Sequence, residues 1–310
     1  AGVSGLKTYS VGFEDHPEEK GDEFEYSDLV AETFGTDHHR FIVDNHEVLP
    51  RLPEAFANMT EPMFGQDAIA FYLLSEVVSK DIKVVQSGQG ADEVFAGYFW
   101  YPQMHYSIEK GIDRFSKNYF DRDHEEYLEM MAEKYHVGDV TSVLIEDKLN
   151  AFEADDYIDR VLALDVTTLI VDDPVKRVDN MTMAWGLEAR VPFLDQNLVE
   201  LAARMPADCK LSNGGKHVLK RISRGLLPDK IIDRSKAYFP MPALKFVQGD
   251  FLEFMREILL NDAAKRRGLY NPAYVEKLLK DPDAWLTRLQ GSKLWHLAAL
   301  ELWLQQNVDI

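Results

Sequence analysis

The segment with the clearest structural signature covers residues 83–98, KVVQSGQGADEVFAGY. The short apolar run Val84 and Val85 predicts a buried strand. The SGQG sequence that follows contains two glycines, which permit backbone angles that other residues avoid. Residues 91–95, ADEVF, then predict the first turn of a helix. A strand, a glycine turn and a helix start are typical of nucleotide sites, where a phosphate lies at the helix N-terminus.

Two carboxylates, Asp92 and Glu93, stand in this first helical turn and would repel a phosphate. A divalent cation removes the conflict, because proteins usually hold Mg²⁺ with one or two carboxylates together with substrate phosphates. Two glycines alone are equally compatible with a purely structural turn. The prediction of a nucleotide and magnesium site therefore rests on the combination of strand, glycine turn and acidic helix start in residues 83–98.

Size, charge and cysteine content restrict the functional class. The 310 residues are enough for a substantial core or two lobes. The formal net charge of -19 argues against a nucleic acid bound through its phosphates, and a solvated acidic surface or adaptation to a saline cytoplasm explains it. Cys209 is the only cysteine, so intrachain disulfides are excluded. Without a signal peptide or an apolar run of about 20 residues, the sequence predicts a cytoplasmic protein with no membrane partner.

Strand and helix patterns alternate along the first hundred residues. Gly35 is placed to end the first helix. The predicted strands cover residues 8–13, 39–43 and 84–85, and the predicted helices cover 26–34, 48–59 and 68–79. This alternation predicts an α/β fold, a parallel sheet with helices on both faces.

The rest of the chain is predicted to be mainly helical. From Phe99 to about Asp165, aromatic and charged residues recur at helical spacing without a clear strand. Further helices are predicted over 218–227 and within 252–308. We expect a large helical part that covers the mouth of the sheet or links two lobes.

A polar stripe is predicted on the helix that begins at Asp172-Asp173-Pro174. Lys176, Asp179 and Asn180 recur at three- and four-residue spacing and share one face. Because the surrounding residues are apolar, we expect this face to line a site; a salt-bridged solvent face is the alternative.

Other charges stand in apolar or rigid surroundings. Glu188, Arg190 and Asp195 lie in a largely apolar string and, if buried, need partners. A structural ion-pair network and a substrate clamp remain equally open for these three. Lys236 lies in a loop stiffened by two prolines, where it can act as a positioned point charge.

These motifs resemble, in their order along the chain, the synthetase domain of glutamine-dependent asparagine synthetases. The likeness covers nearly the whole chain and is carried by residues 87–93 with Gly97-Tyr98, 172–183, 188–195 and Lys236. Residues 19–24, 87–90 and 171–180 also resemble the N-acetylglutaminylglutamine amidotransferases, a branch that amidates a capped dipeptide to make an osmolyte.

The resemblance implies a fold of the adenine nucleotide alpha-hydrolase-like, PP-loop ATP pyrophosphatase type. A single synthetase domain over residues 1–310 would contain a nucleotide-binding part, 1–100, and a mainly helical part, 101–310, that completes the acceptor site. It also implies ATP and Mg²⁺ as cofactors. A carboxylate is adenylated with release of pyrophosphate, and ammonia from glutamine displaces AMP.

Individual roles follow from the resemblance. Asp92 would lie near the reacting phosphate, Glu93 would hold Mg²⁺, and Lys236 would stabilise the charge that develops during adenylation and amide formation. The adenosine part of ATP would contact Val11, Ser87 and Gly88, with Gly90 and Tyr98 completing the nucleotide site. The residues expected on the acceptor side are Lys176, Asp179, Glu188 and Arg190.

Gln89 departs from the pattern of asparagine synthetases, which have a glutamate at this position. A neutral amide cannot take a proton from the attacking ammonia, so another group or water does so, or the acceptor differs from aspartate. This favours N-acetylglutaminylglutamine as the acceptor. Asparagine synthetase proper and an inactive binding or assembly module are the alternatives.

Two expected parts of the family are missing from these residues. The pyrophosphate-binding loop with the first, central strand and the N-terminal glutaminase domain do not occur in the sequence. We therefore expect residues 1–310 to be a fragment that is inactive alone and that works with the glutaminase domain of its parent polypeptide, with a homodimer compatible with the sequence.

Overall fold

The computed structural model describes residues 4–234 and 241–309. Its strands form two parallel pairs. β1 (Lys7–Phe13) pairs with β2 (Asp37–Val43), and β3 (Val84–Gln86) pairs with β4 (Glu188–Arg190). The parallel pairing and the many helices confirm the predicted α/β class with a large helical part.

Helices account for most of the described chain. The α-helices are α1 Phe24–Phe34, α2 Asn45–Val48, α3 Leu52–Ala57, α4 Asp67–Val78, α5 Ala91–Phe95, α6 Trp100–Tyr106, α7 Ile112–Tyr119, α8 His124–Met130, α9 Val140–Ala151, α10 Tyr157–Leu164, α11 Ile170–Asp172, α12 Pro174–Met183, α13 Gln196–Ala203, α14 Ala207–Leu211, α15 His217–Ser223, α16 Asp229–Ile232, α17 Pro242–Lys245, α18 Gly249–Leu260, α19 Asp262–Arg267, α20 Pro272–Lys280 and α21 Lys293–Asn307. A π-helical turn over Asp165–Leu169 joins α10 to α11. In the described ranges, no helix combines the length and apolar character that a bilayer crossing requires.

Two large apolar cores, and a small cluster around Val94, Phe95 and Ala202, pack the described elements together. The larger core packs the end of β1 against α3, α4, α18, α20 and α21, and Tyr72 and Trp295 are almost completely buried in it. The smaller core lies in the helical part, where α6, α7, α9 and α10 bury Tyr101, Met104 and Phe115. Burial of such large side chains supplies most of the driving force for folding.

Local signals located most of the elements correctly. α1 ends at Gly35, whose backbone is left-handed (φ 61°) and whose amide donates to the carbonyl of Ala31. The segment from 100 to 164 is mostly helical as predicted, and so is most of 249–307. The proposed boundary at residue 100 stays a prediction.

Three local predictions were wrong. The helix expected over 48–59 is divided by a 3₁₀ turn at Leu49–Arg51, because Pro50 and Pro53 cannot donate the hydrogen bonds of a continuous helix. The helix expected to reach residue 227 already ends at Ser223. Val84 was expected to be buried but is 46% exposed, because within the described residues β3 pairs with β4 alone.

Candidate active site

The glycine turn after β3 brings the chain sharply into α5. Gly90 has a φ of 91°, and a Cβ atom at this position would lie 2.5 Å from the side chain of Leu194. No larger residue fits this position without displacing Leu194, so the turn needs a glycine there. The arrangement confirms a strand, a glycine turn and a helix start that carries Asp92 and Glu93.

The Asp92 carboxylate is held by Lys216, a residue that the sequence did not single out. The Nζ atom of Lys216 lies 2.8 Å from Oδ2 of Asp92. The backbone amide of Lys216 donates to the carbonyl of Phe95. Lys216 is itself left-handed (φ 53°) and follows Gly215 (φ 89°). A Cβ at Gly215 would lie 2.1 Å from the backbone oxygen of Ala96, so the lysine reaches Asp92 only because a glycine precedes it.

Gly97 packs against both members of the Asp92–Lys216 pair and leaves room for their contact. A Cβ there would lie 2.2 Å from Cε of Lys216 and 2.3 Å from Oδ1 of Asp92. Two glycines and one left-handed lysine therefore bring this ammonium group to this carboxylate. The pair Gly214-Gly215 was the sequence signal that could have indicated the position.

The neighbouring carboxylate, Glu93, lies in different surroundings. Its side chain is only 1% exposed and accepts a hydrogen bond of 2.7 Å from the Tyr98 hydroxyl. Burial raises the pKa of Glu93, against the opposing effect of that hydrogen bond. Burial and the nearby Glu93 and Asp92 charges also raise the pKa of Tyr98, which therefore stays protonated and donates.

A second buried acid lies in the π-helical turn. Asp165 is 1% exposed and accepts a hydrogen bond of 2.6 Å from Tyr101. Burial raises its pKa to about 7, and the Glu93 charge adds to the effect. Turns of this kind are frequent at functional sites. The acids beneath the glycine turn are thus protected from water, in contrast to Asp92.

A cavity of about 980 Å³ opens beside the glycine turn. Gln89, Asp92 and Tyr98 line it at the turn. Residues from α7, α8, α9 and the segment before α21 line it in the helical part. Cavities of this size bind small molecules, and this one extends from the turn into the helical part.

Arg177 of α12 also lines the cavity and was not selected from the sequence. Its guanidinium pairs with Asp67 at 3.0 Å and with Asp173 at 2.5 Å. Burial raises the pKa of Asp173, while the Arg177 charge opposes the rise. A Cβ at Gly65 would lie 2.3 Å from Arg177 Nη1, so a larger residue there would displace the guanidinium.

The polar stripe of α12 contacts a loop instead of the cavity. Lys176 pairs with Glu61 at 2.8 Å, and the side-chain oxygen of Asn180 accepts hydrogen bonds from Thr60. Asp179 is exposed. These three residues do not line the cavity described above, because they are turned toward the 60–61 loop or solvent, and the acceptor-side role of Lys176 and Asp179 stays a prediction.

The charged string after α12 is exposed, so of the two alternatives left open for it the substrate clamp stays a prediction. The side chains of Glu188 and Arg190 are 56% and 65% exposed. Oε1 of Glu188 lies 3.8 Å from Nε of Arg190. Asp195 is exposed and caps α13 by accepting hydrogen bonds from the amides of Asn197 and Leu198. No buried ion-pair network involves these three charges in the described residues.

None of the other residues predicted for the nucleotide site or for charge stabilisation lines the cavity in the described chain, apart from Tyr98. Lys236 lies outside the described residues. Val11 is buried at the end of β1, and Ser87 and Gly88 lie in the turn without lining the cavity. Gly90 shapes the turn through its backbone. Their roles in binding nucleotide stay predictions.

Mg²⁺ was predicted from Asp92 and Glu93. In the described ranges, no group of three or more histidine, cysteine, aspartate or glutamate side chains is placed to hold a metal ion. Mg²⁺ needs only one or two carboxylates when substrate phosphates supply further ligands. The partly exposed carboxylate of Asp92 fits that role, whereas Glu93 is buried and hydrogen-bonded to Tyr98.

Comparison with known proteins identifies the family of this chain. The profile of the family described as asparagine synthase matches residues 2–305. Glutamine-hydrolysing asparagine synthetase 1 of Bacillus subtilis (strain 168) is 26% identical, with 98% of this chain and 52% of the relative covered. Asparagine synthetase 3 of the same organism is 26% identical over 100% of this chain and 53% of its own length. The glutamine-hydrolysing asparagine synthetase of Mus musculus is 25% identical, and the match covers 76% of this chain and 34% of that protein. The chain spans about half the length of the two bacterial relatives.

Proposed function

The chain belongs to the asparagine synthase family, and we propose that it supports ATP-dependent amide formation on a carboxylate acceptor. The observation that carries the proposal is the Asp92–Lys216 ion pair at the wall of the cavity, next to Gln89. The family match and this paired charge at a glycine turn together favour phosphate chemistry over a structural turn.

The proposed reaction has two steps. A carboxylate oxygen of the acceptor attacks the α-phosphorus of ATP, and the bond to pyrophosphate breaks. Ammonia then adds to the carbonyl carbon of the acyl-adenylate, loses a proton and displaces AMP. Both steps move negative charge onto phosphate oxygens, which positioned cations stabilise.

The residues of this chain divide the work in the proposal. Lys216 keeps Asp92 oriented beside the cavity, and Lys236 stabilises the charge that develops on the phosphate. Val11, Ser87, Gly88 and Gly90 contact the nucleotide. Mg²⁺, with Asp92 as one ligand, would neutralise phosphate charge; Glu93 could join only by giving up its bond to Tyr98.

We propose N-acetylglutaminylglutamine as the acceptor and glutamine hydrolysis as the source of ammonia. Gln89 supports the first part, because it lines the cavity and its neutral amide cannot accept the ammonia proton. Aspartate is the second candidate, favoured by the names of the relatives, which are asparagine synthetases.

AMP formation distinguishes the two acceptors. The longest natural polypeptide that contains these residues is given ATP, Mg²⁺ and ammonia with either N-acetylglutaminylglutamine or aspartate. We expect AMP with the dipeptide alone. AMP with aspartate alone would replace the proposed acceptor, and no acceptor-dependent AMP with either would contradict the proposed function.

A further inference from the structure

Arg122 lies between α7 and α8 and lines the cavity. Among the described residues, three cations line this cavity, and two of them are paired: Arg177 with Asp67 and Asp173, and Lys245 with Glu19 at 2.9 Å. In the described chain no carboxylate forms an ion pair with Arg122. The nearby Glu126 pairs with Lys293 at 2.5 Å. Against the opposing effect of burial, Lys293, Tyr274 and the charge of Arg122 together lower the pKa of Glu126. Arg122 is therefore left without a direct ion pair.

Neutral partners nevertheless hold the guanidinium in place. Its Nη1 lies 3.3 Å from Nδ1 of His296, and its Nη2 donates to the backbone oxygen of Lys293 at 3.3 Å. Its Nε is buried and has no hydrogen-bond partner in the described chain. His296 stacks on Phe64 with ring centroids 5.5 Å apart.

His296 accepts from Arg122 because it is neutral. Burial, together with the charges of Arg122 and Lys293, lowers its pKa to about 3. An imidazole without a proton on Nδ1 can accept the guanidinium hydrogen bond there. The arrangement fixes the direction of Arg122 through neutral groups and leaves the guanidinium without a direct carboxylate partner.

The charge of the cavity defines what this arginine can bind. Carboxylates line much of the wall, including Asp92, Asp121 and Asp123, and they oppose the entry of an anion. An acceptor carboxylate therefore needs a cation that no protein carboxylate already occupies. The planar guanidinium suits a carboxylate, which it can bind through two parallel hydrogen bonds.

We propose that Arg122 binds the acceptor carboxylate before that group is adenylated. The inference rests on the proposed function and names a residue in the helical part of the cavity, where Tyr119, Phe120 and Leu289 offer apolar contacts to the rest of the acceptor. Once the carboxylate is esterified to AMP or converted to the amide, its charge is gone. The attraction to Arg122 then weakens, which favours release of the amide product.

Binding of matched acid and amide pairs tests this role without turnover. The affinities of N-acetylglutaminylglutamine and its C-terminal amide, and of aspartate and asparagine, are measured by calorimetry on the longest natural polypeptide, without ATP. For the pair that binds, we expect the wild type to prefer the acid by roughly tenfold or more, the range of one charge-assisted contact. R122M should remove most of this preference, and R122K should restore part of it.

Two controls separate the possible failures. R266M removes an exposed arginine on α19 and should leave the acid preference unchanged. ATP affinity of R122M should equal that of the wild type, which shows that the variant is folded. Retention of the acid preference in R122M and R122K would overturn the role of Arg122 alone. If neither pair binds the wild type and no acceptor-dependent AMP forms, the proposed function fails instead.

Discussion

The glycine turn with α5 and the segment around β4 carry similar charges, but the charges are paired or buried in the first region and exposed in the second. The two regions are neighbours, because β3 and β4 pair in parallel. In the turn region, Asp92 is paired with Lys216 and Glu93 is buried against Tyr98. In the β4 segment, Glu188 and Arg190 are mostly exposed. A charge in an apolar stretch thus becomes part of a site only where the fold supplies a partner for it.

The largest expected loss of stability comes from a change at Gly215, the residue that positions Lys216 beside Asp92. A G215A substitution would place a Cβ 2.1 Å from the backbone oxygen of Ala96 at a left-handed residue. We expect the free energy of unfolding to fall by about 3 kcal/mol, through overpacking and backbone strain. G214A is the matched control, because Gly214 is also left-handed but has no atom within 4 Å of its Cβ position. Its expected cost is about 1 kcal/mol. Urea denaturation checks both values, and equal costs would contradict the close contact.

A smaller effect is expected from removing one charge in each region. K216M leaves the partly buried Asp92 without its lysine and should lower the free energy of unfolding by about 1–2 kcal/mol. R190M removes an arginine that is 65% exposed and should change it by less than about 0.5 kcal/mol. Denaturation of both variants checks the difference. Similar losses in the two variants would remove the distinction between the two regions.

The buried acid below the turn predicts a pH dependence of stability. The pKa of Asp165 is about 7 in the folded protein and 3.8 for an unperturbed aspartate. Between these values the folded state binds more protons than the unfolded state, so this residue makes the free energy of unfolding fall as pH rises from about 4 to about 7. D165N should flatten the profile over that range in thermal or chemical unfolding.

The matched control for this slope lies in the other region. E188Q changes an exposed carboxylate and should leave the pH profile of stability as it is in the wild type. An unchanged profile in D165N, or an equal flattening in E188Q, would contradict the assignment of the slope to the buried acid.

Elements that depend on neighbouring residues were predictable from the sequence. The αL glycine at 35, the glycine turn at 90 and the start of α12 at Pro174 were all located by local signals. The parallel sheet followed from the alternation of strands and helices. These features depend on backbone preferences within a few residues, and the sequence displays them directly.

The partners within the candidate site could not be predicted in the same way. Lys216 lies 124 residues after Asp92, and His296 lies 174 residues after Arg122. The pair Gly214-Gly215 marks a special backbone position before Lys216, but no local pattern indicates which residue the lysine contacts, and none distinguishes His296 from other histidines. Their importance appears only when the tertiary fold brings them together.

The exposure of the charges in β4 has a local physical cause. Glu188 and Arg190 alternate with Ala189, so the two-residue period of a strand places both charges on one face. That face is exposed, and the apolar residues nearby lie elsewhere. Apolar neighbours in the sequence therefore did not imply an apolar environment for the charges.

The fate of the acceptor's oxygen atoms tests the central claim most directly. The acceptor carboxylate is labelled with ¹⁸O and incubated with the longest natural polypeptide, ATP, Mg²⁺ and ammonia, and the nucleotide product is analysed by mass spectrometry. Attack of the carboxylate on the α-phosphorus predicts AMP that carries one ¹⁸O atom, because the oxygen between acyl group and phosphorus leaves with AMP. AMP without the label, or formation of ADP in place of AMP, would contradict ATP-dependent amide formation through an acyl-adenylate.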